Sequence, residues 1–402
     1  MPGTSVFPKS PWADLWPLDP AVDYLNHGSF GACPKAILEK QSELRARLER
    51  EPVDFFVREL PGLLAEARAA LAAFVGADGD DLAFVPNATA GINAVVRSLA
   101  FSPGDELLTT DHAYAACKKT LDYVAARTGA RVVVATISFP LSGEDEVVSA
   151  VLSRVTSHTR LAMLDHVTSP TALVFPIERL VRELSKRGVD TLVDGAHALG
   201  MIPLDLARLG AAYYTANAHK WLCAPKGAAF LHVRKDRQKG LHPVAISHGY
   251  EGGEPRFLKE FDWTGTADPT ATFCIPECIA YLGGLLPGGW PAVMEANRAL
   301  ALKARAAICD ALGVASPAPE SMLGAMASVP LPAPAPGSPA QRLDREELAD
   351  WMRVRGTEPW FYDWPVGGGS GGKLVRVSAQ LYNTAGQFVR LASLLAEALR
   401  AG

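Results

Sequence analysis

The chain has 402 residues, of which 49% are hydrophobic and 20% are charged, with a formal net charge of -4. This length allows a large core and favours two domains. The nearly balanced charge argues against a nucleic-acid or anionic-membrane partner bound through bulk charge. The first residues lack a basic region followed by an apolar core, and no run approaches the ~20 apolar residues of a spanning helix. We therefore expect a cytoplasmic protein with no membrane and no nucleic-acid partner.

Strand-like and helix-like patterns alternate through the first two thirds of the chain. Helices are predicted at 35–50 and 62–75, before the alternation begins. The strand patterns cover 105–110, 131–137, 160–167, 190–194, 211–217 and 228–233. The helical patterns between them cover 90–100, 114–127, 144–155, 176–187 and 204–209. Short apolar runs of this kind are typical of strands covered on both faces. The pattern predicts an α/β three-layer sandwich with a mainly parallel sheet, whose ligand sites lie beyond the carboxyl ends of strands.

The rest of the chain predicts a smaller α+β domain. A helix at 292–312, the strand-like MASVPLP, a helix at 344–355, the strand-like KLVRVSAQ and a helix at 384–399 follow one another. We therefore expect a large domain over residues 21–285 and a small C-terminal domain over residues 286–402. Residues 1–20 are expected to pack beside the small domain.

Two polar residues follow neighbouring predicted strands. Asp194 ends the run TLVD, and Lys220 comes just after the next strand, between His219 and Trp221. Consecutive strands of a parallel sheet usually lie side by side, so both residues can reach one edge. A buried lysine loses its proton or finds a partner, and a neutral amine attacks carbonyls. Pyridoxal phosphate (PLP) chemistry needs this pairing: a lysine that holds the aldehyde as an imine and an acid that keeps the pyridine nitrogen charged.

A candidate phosphate site lies earlier in the chain. The run Asn87-Ala-Thr-Ala-Gly91 follows the strand-like LAFVP and begins a helix. Backbone N–H groups at a helix N-terminus, with the Thr89 hydroxyl, suit an anion. His219 is a second possible donor. An ordinary helix cap would explain the same residues without a ligand.

Several motifs occur in an order that resembles a known family, the class V aminotransferases, which are fold type I PLP enzymes. The resemblance is greatest to the isopenicillin N epimerase-like branch of that family. The motifs are Tyr24-Leu-Asn-His-Gly-Ser-Phe-Gly31, Asn87-Ala-Thr89, Asp165-His-Val-Thr-Ser-Pro170, Asp194-Gly-Ala-His197, Ala218-His-Lys-Trp221, Trp263-Thr-Gly-Thr-Ala-Asp268 and Arg376-Val-Ser-Ala-Gln-Leu-Tyr-Asn383.

The resemblance implies a pyridoxal 5'-phosphate site with named roles. Lys220 would carry the Schiff base, Asp194 would contact the pyridine nitrogen, and His197 would support the ring or its phenolic oxygen. Ser169 would lie near the oxygen substituent of the ring. The residues implied for the phosphate are Ala88, Thr89 and His219.

Other implied roles concern ring stacking, the second subunit and the substrate. Either His112 or Tyr114 would stack on the ring, and the sequence leaves that choice open. Thr266 would reach the phosphate of the neighbouring subunit, which implies a homodimer with shared active sites. Arg376 would clamp the α-carboxylate of an amino-acid substrate with its planar fork. Asn26 and His27, in the amino-terminal loop, would assist Arg376 in binding the substrate.

The implied chemistry begins with removal of the α-proton by Lys220, which gives a quinonoid intermediate. Reprotonation from the opposite face would make an epimerase and needs a second acid, for which Tyr114, His27 and Tyr382 are nominal candidates. Expulsion of a β-substituent would make a carbon–sulfur lyase, and return of the proton to the cofactor would make an aminotransferase. The sequence does not choose among these outcomes.

Two further alternatives are disfavoured, and no metal site is expected. A persulfide-forming desulfurase needs a cysteine on a mobile loop of the small domain, but no cysteine follows Cys309. A non-catalytic relative would be expected to have lost Lys220 or Asp194, and both are present. The cysteines are scattered without metal-binding spacing, and we interpret them as reduced thiols.

Overall fold

The computed structural model describes residues 9–252, 256–365 and 372–400. The strands are β1 (Asp23–Tyr24), β2 (Leu82–Val85), β3 (Glu106–Thr110), β4 (Arg131–Ala135), β5 (Thr159–Asp165), β6 (Asp190–Asp194), β7 (Tyr213–Asn217), β8 (Ala229–Val233), β9 (Met326–Pro330), β10 (Thr357–Glu358), β11 (Trp360–Trp364) and β12 (Gly372–Ser378). The α-helices are α1 (His27–Phe30), α2 (Lys35–Arg50), α3 (Pro52–Asp54), α4 (Leu60–Val75), α5 (Ala88–Ser98), α6 (Ala115–Thr128), α7 (Glu144–Leu152), α8 (Ile177–Ser185), α9 (Leu206–Leu209), α10 (Phe257–Phe261), α11 (Thr270–Phe273), α12 (Ile275–Gly284), α13 (Gly289–Leu312), α14 (Pro339–Arg342), α15 (Arg345–Val354) and α16 (Ala385–Leu399).

A seven-stranded sheet with the order β2-β8-β7-β6-β5-β3-β4 forms the centre of the molecule. Six of the seven strands run in the same direction, and β8 runs antiparallel to them. Along β5, Leu161 and Met163 belong to one hydrophobic cluster, and Ala162 and Leu164 belong to another. Because successive side chains of a strand point to opposite faces, the sheet is covered on both faces. The predicted α/β three-layer architecture with a mainly parallel sheet is confirmed.

The predicted elements of this region agree with the structure to within a few residues. The strand predicted at 190–194 is β6, and the helix predicted at 35–50 is α2. The helix predicted from residue 90 begins earlier, at Ala88, because the Asn87 side chain accepts a hydrogen bond from the N–H of Ala90 at 2.8 Å. The strand β11 is absent from the prediction, because its aromatic run WFYDW carries no clear alternation of apolar and polar residues.

A smaller antiparallel sheet with the order β11-β12-β9 lies in the C-terminal part. Its apolar side chains form a separate hydrophobic cluster with α13, α15 and α16, which Leu25 also joins. Trp16 packs edge to face on Tyr382, with ring centroids 5.2 Å apart. The division at residues 285 and 286, and the position of residues 1–20 beside the small domain, stay predictions; residues 1–8 lie outside the described residues.

In the described parts of the chain, no single helix is long and apolar enough to cross a membrane. The pair Thr270–Gly284 and Gly289–Leu312 meets the length and composition criteria only when taken together, with a bend of 71° between them.

The amino-terminal segment is held to the last helix by a buried carboxylate. Asp23 accepts hydrogen bonds from Arg390 Nη1 and Gln387 Nε2, both at 2.9 Å. Its side chain is 4% exposed, and that of Arg390 is 27% exposed. Removal of one partner from a buried ion pair leaves the other charge unpaired, which is strongly destabilising.

Replacement of Asp23 by alanine is expected to lower the free energy of unfolding by about 3 kcal/mol, since Arg390 then loses its carboxylate partner and keeps only the carbonyl oxygens of Arg355 and Gly356. Urea unfolding followed by circular dichroism measures this loss. Asp14→Ala is the matched control, because the Asp14 side chain is 91% exposed and its nearest cation is 3.8 Å away. Equal unfolding curves for the two variants would contradict the expectation.

Candidate active site

A cavity of about 570 Å³ lies at the carboxyl ends of β5, β6 and β7, beside the first turn of α5. It brings together many of the residues singled out in the sequence. The residues that line it are Ser29, Phe30, Pro86, Asn87, Ala88, Thr89, Tyr114, Asp165, Val167, Ser169, Asp194, Ala196, His197, Asn217, His219, Lys220, Lys226 and Gly227.

Lys220 lies in the wall of this cavity, just after β7. Its Nζ is 3.2 Å from Nε2 of His197, a buried residue whose Nδ1 has no hydrogen-bond partner. Burial and then the positive charge of Arg376 lower the pKa of Lys220 from 10.5 to about 7, against the opposing negative charge of Asp194. A large fraction of Lys220 is therefore neutral, and nucleophilic, near neutral pH.

Asp194 is buried at the end of β6. Its Oδ1 accepts a hydrogen bond from the N–H of Ala196 at 3.0 Å, and its Oδ2 accepts one from Sγ of Cys117 at 3.2 Å. Burial raises the pKa of Asp194, while these hydrogen bonds lower it. The negative form is thus held by donors that carry no charge, so a cation that enters the cavity can pair with it.

The first turn of α5 and His219 form another part of the cavity wall. The N–H of Ala88 donates to Oδ1 of Asn217 at 2.8 Å, so this amide is already engaged within the chain. Nδ1 of His219 is 3.2 Å from the carbonyl oxygen of Ala228 and must carry the hydrogen of that contact. Burial lowers the pKa of His219 to about 4. An anion beside Nε2 would favour the protonated ring, which can then donate on both sides.

The structure separates the two candidates for ring stacking. Tyr114 lines the cavity and is 45% exposed. His112 is fully buried behind the wall, where Nδ1 is 2.7 Å from Oγ1 of Thr171 and Nε2 is 2.9 Å from the carbonyl oxygen of Ile137. Because both of its ring nitrogens are engaged, His112 does not reach the cavity, and the position favours Tyr114.

Arg376 lies behind the cavity wall on β12 and is 1% exposed. Its Nη1 donates to the carbonyl oxygen of Ser169 at 2.8 Å and to the Tyr362 hydroxyl at 2.9 Å. Its Nη2 donates to Oγ of Ser29 at 2.8 Å and to Oδ1 of Asn26 at 3.2 Å. All of these acceptors are neutral. Among the described residues, no carboxylate forms an ion pair with this buried guanidinium.

His27 does not take the position expected of a substrate-binding residue. It is fully buried, with Nδ1 2.9 Å from the Tyr382 hydroxyl and Nε2 3.0 Å from the carbonyl oxygen of Lys220. Burial lowers its pKa to about 3. His27 and Tyr382 therefore support the backbone at Lys220 from behind, and neither lines the cavity.

The remaining predicted residue, Thr266, is exposed and does not line the cavity of its own chain. Three other residues at or near the cavity are absent from the sequence prediction. Ser29 stood inside a quoted motif, and Asp165 ends a strand just as Asp194 does, so both carried a usable signal. Tyr362 lies on β11, the strand that the pattern did not reveal.

The chain belongs to the class V aminotransferase family. The family model described as aminotransferase class-V matches residues 33–280. The chain is 38% identical to the isopenicillin N epimerase of Amycolatopsis lactamdurans over 94% of its own length and 96% of that protein. It is 29% identical to an L-cysteine desulfhydrase of Arabidopsis thaliana, over 94% of its length and 88% of that protein.

A solved structure agrees with this assignment at the level of the fold. A variant of the C–S lyase C-DES, with glycine covalently linked to its PLP cofactor, superposes with a TM-score of 0.78. The two chains are 20% identical, and the match covers 94% of this chain and 96% of the other. The chain therefore has the fold of type I PLP enzymes, and pyridoxal 5'-phosphate is its cofactor.

Acylation of Lys220 in the cofactor-free protein is expected to have its midpoint near pH 7, with the rate rising to a plateau at higher pH, because only the neutral amine reacts. Mass spectrometry of the Lys220 peptide measures the modified fraction across pH. Arg376→Gln removes a positive charge and should move the midpoint upward, whereas Asp194→Asn should move it downward. A midpoint near 10.5 would contradict the burial of this amine.

Proposed function

We propose that this chain is a PLP-dependent amino-acid epimerase of the isopenicillin N epimerase-like kind. The observation that carries the proposal is the buried Arg376, which has only neutral hydrogen-bond acceptors although its positive charge lies beside the cavity that contains Lys220. A buried cation without a charged partner is costly, so the chain must gain from it in another state. The α-carboxylate of an amino acid supplies the missing partner.

The cavity has the donors and acceptors that PLP requires. Lys220 would supply the amine that links to the aldehyde, Asp194 would pair with the ring nitrogen, and Tyr114 would cover the ring. His197 and Ser169 would serve the phenolic oxygen; among the described residues Nδ1 of His197 has no partner, so a ligand can satisfy it. The first turn of α5 at Thr89, with His219, would hold the phosphate; Ala88 could contribute its N–H only by releasing Asn217. When bound, PLP supplies an electron sink for the pair of electrons left on Cα.

Arg376 orients the substrate through its α-carboxylate. Its two Nη groups now contact the hydroxyls of Ser29, Ser169 and Tyr362, which can move to the oxygens of the incoming group. The planar fork fixes the carboxylate with two parallel hydrogen bonds and so fixes the direction of the bond from Cα to hydrogen. Asn26, bonded to Nη2, helps to hold the guanidinium in place.

Proton transfer at Cα then needs one group on each side of the substrate. Lys220, neutral near pH 7, takes the α-proton. Of the three nominal second acids, Tyr114 is the one that lines the cavity, since His27 and Tyr382 are bonded to each other behind it. Burial raises the pKa of Tyr114, so its hydroxyl keeps the proton that it must deliver. Delivery to the opposite face inverts the centre.

A second candidate is carbon–sulfur β-elimination, which the similarity to the L-cysteine desulfhydrase of Arabidopsis thaliana favours. It needs the same Lys220 and Arg376 but no acid opposite Lys220. A persulfide-forming desulfurase has no support, because all six cysteines of the chain are buried.

The working protein is a cytoplasmic homodimer. In each chain Thr266 is exposed and lies outside its own cavity, which supports a role for it in the neighbouring subunit. There it reaches the phosphate, so each active site contains residues of both chains.

Arg376→Lys is expected to raise the KM for the amino-acid substrate about 10- to 100-fold, because an ammonium group cannot form both hydrogen bonds of the fork. Steady-state kinetics measures KM, and a titration with PLP measures cofactor affinity, which should stay near that of the wild type. Arg298→Lys is the control, since Arg298 binds carbonyl oxygens of Leu323 and Glu320. A loss of PLP affinity without a change in KM would place Arg376 at the cofactor instead.

The reaction type is tested in deuterated water with single enantiomers of candidate amino acids. Exchange of the α-hydrogen with inversion, followed by NMR and chiral chromatography, indicates epimerisation; pyruvate and ammonia indicate elimination. Tyr114→Phe should keep the exchange but slow inversion at least 100-fold, as expected on loss of a general acid. Tyr123→Phe, an exposed tyrosine of α6, is the control and should change neither rate. Inversion at an unchanged rate in Tyr114→Phe excludes Tyr114 as the second acid.

A further inference from the structure

A second buried carboxyl group lies beside Asp194, and the functions described so far do not use it. Asp165 ends β5 directly opposite Asp194 in the parallel register of β5 and β6, so the two side chains leave the sheet on the same face. Both residues are buried and both line the cavity. The Oδ1 atom of Asp165 is buried without a hydrogen-bond partner.

The groups that surround Asp165 do not neutralise it. Asp194 faces it from the neighbouring strand, and the backbone N–H of Tyr114, at the start of α6, donates to it. Lys220, after β7, is the cation that acts on it, more weakly than these groups. Cys117 of α6 lies close to both carboxyls and remains a neutral thiol, since burial and the two carboxyls raise its pKa well above the usual value.

Two adjacent buried carboxyls are unfavourable for the chain alone, because the one cation that acts on both, Lys220, does not offset their burial. Burial, and then the charge of Asp194, raise the pKa of Asp165 well above its ordinary value. If Asp165 had only a structural role, a donor within the protein would be expected at its Oδ1. The buried Asp23 is an example, because Gln387 and Arg390 donate to its two carboxylate oxygens. The unpartnered oxygen, which lies at the cavity, instead indicates a partner that the described residues do not supply.

We propose that Asp165 is a second carboxyl group of the cofactor site, which acts with Asp194 on the positively charged ring nitrogen of PLP. This inference rests on the proposed orientation of the ring, with its nitrogen at Asp194. The ring nitrogen supplies the positive charge that the pair of carboxyls lacks. Asp165 is thus a cofactor-binding residue: its charge lowers the stability of the cofactor-free protein and increases the affinity for PLP.

Asp165→Asn separates this role from a structural one, because it keeps the shape and removes the charge. A carboxyl whose pKa is raised on folding stabilises the fold at low pH and loses that contribution as the pH rises through its folded pKa. The melting temperature of the cofactor-free variant should therefore exceed that of the wild type, with a gap that widens as the pH rises above the ordinary aspartate pKa of about 3.9. The Kd for PLP, measured by fluorescence titration, should rise about tenfold, because an opposite charge near the ring nitrogen is lost.

Asp111→Asn is the matched control. Asp111 follows β3, is partly buried, lies outside the cavity and accepts a hydrogen bond from the N–H of Ile137 at 3.0 Å. It should leave the Kd for PLP unchanged. A cofactor-free Asp165→Asn protein that melts below the wild type at every pH, or that binds PLP as tightly as the wild type, would overturn the inference.

Asp194→Asn distinguishes failure of this inference from failure of the proposed function. If Asp194→Asn weakens PLP binding and Asp165→Asn does not, Asp165 has no part in binding the ring, and the proposed function stands. If neither substitution changes the Kd for PLP, the ring nitrogen does not face these strands. Both the proposed orientation and the inference then fail.

Discussion

The burial of an amine at the carboxyl end of β7 is the constraint on which the rest of the site depends. Lys220 must stay in a setting that disfavours its charge, so its surroundings are packed with unusual closeness. Gly31 shows this most directly: its φ of 69° is in the left-handed region, and a Cβ there would overlap the carbonyl oxygen of His219 and lie 2.9 Å from Cα of Lys220. The end of helix α1 at Gly31 therefore packs directly against the backbone of His219 and Lys220.

Each charged group of the site lacks either a partner of opposite charge or a hydrogen-bond partner. Arg376 has neutral acceptors only, Asp194 has neutral donors only, and Asp165 has one oxygen without a partner. Such groups cost stability in the protein alone. The extensive hydrophobic clusters on both faces of the main sheet offset that cost, so a fold of this size can hold a buried polar pocket.

The sequence was sufficient for the architecture and for the residues that follow strands, because those depend on local patterns. Asp194 and Lys220 could be placed at one edge because consecutive parallel strands lie side by side. The sequence was insufficient where a role depends on whether a side chain lines the cavity or lies behind its wall. His112 and Tyr114 are two positions apart, yet one is bonded on both nitrogens behind the cavity and the other lines it. Tyr362 reaches Arg376 only because β11 and β12 pair, which no local pattern encodes.

Arg376 and Lys220 belong to different sheets: the arginine to the three-stranded sheet of the C-terminal part, the lysine to the loop after a strand of the central sheet. A substrate bound by both would join two layers, each with its own hydrophobic cluster. Changes in the C-terminal layer can then alter which amino acid is accepted while the layer that activates the cofactor stays as it is. If the two layers divide these tasks, a chain of this fold can change its substrate without rebuilding the pocket around Lys220.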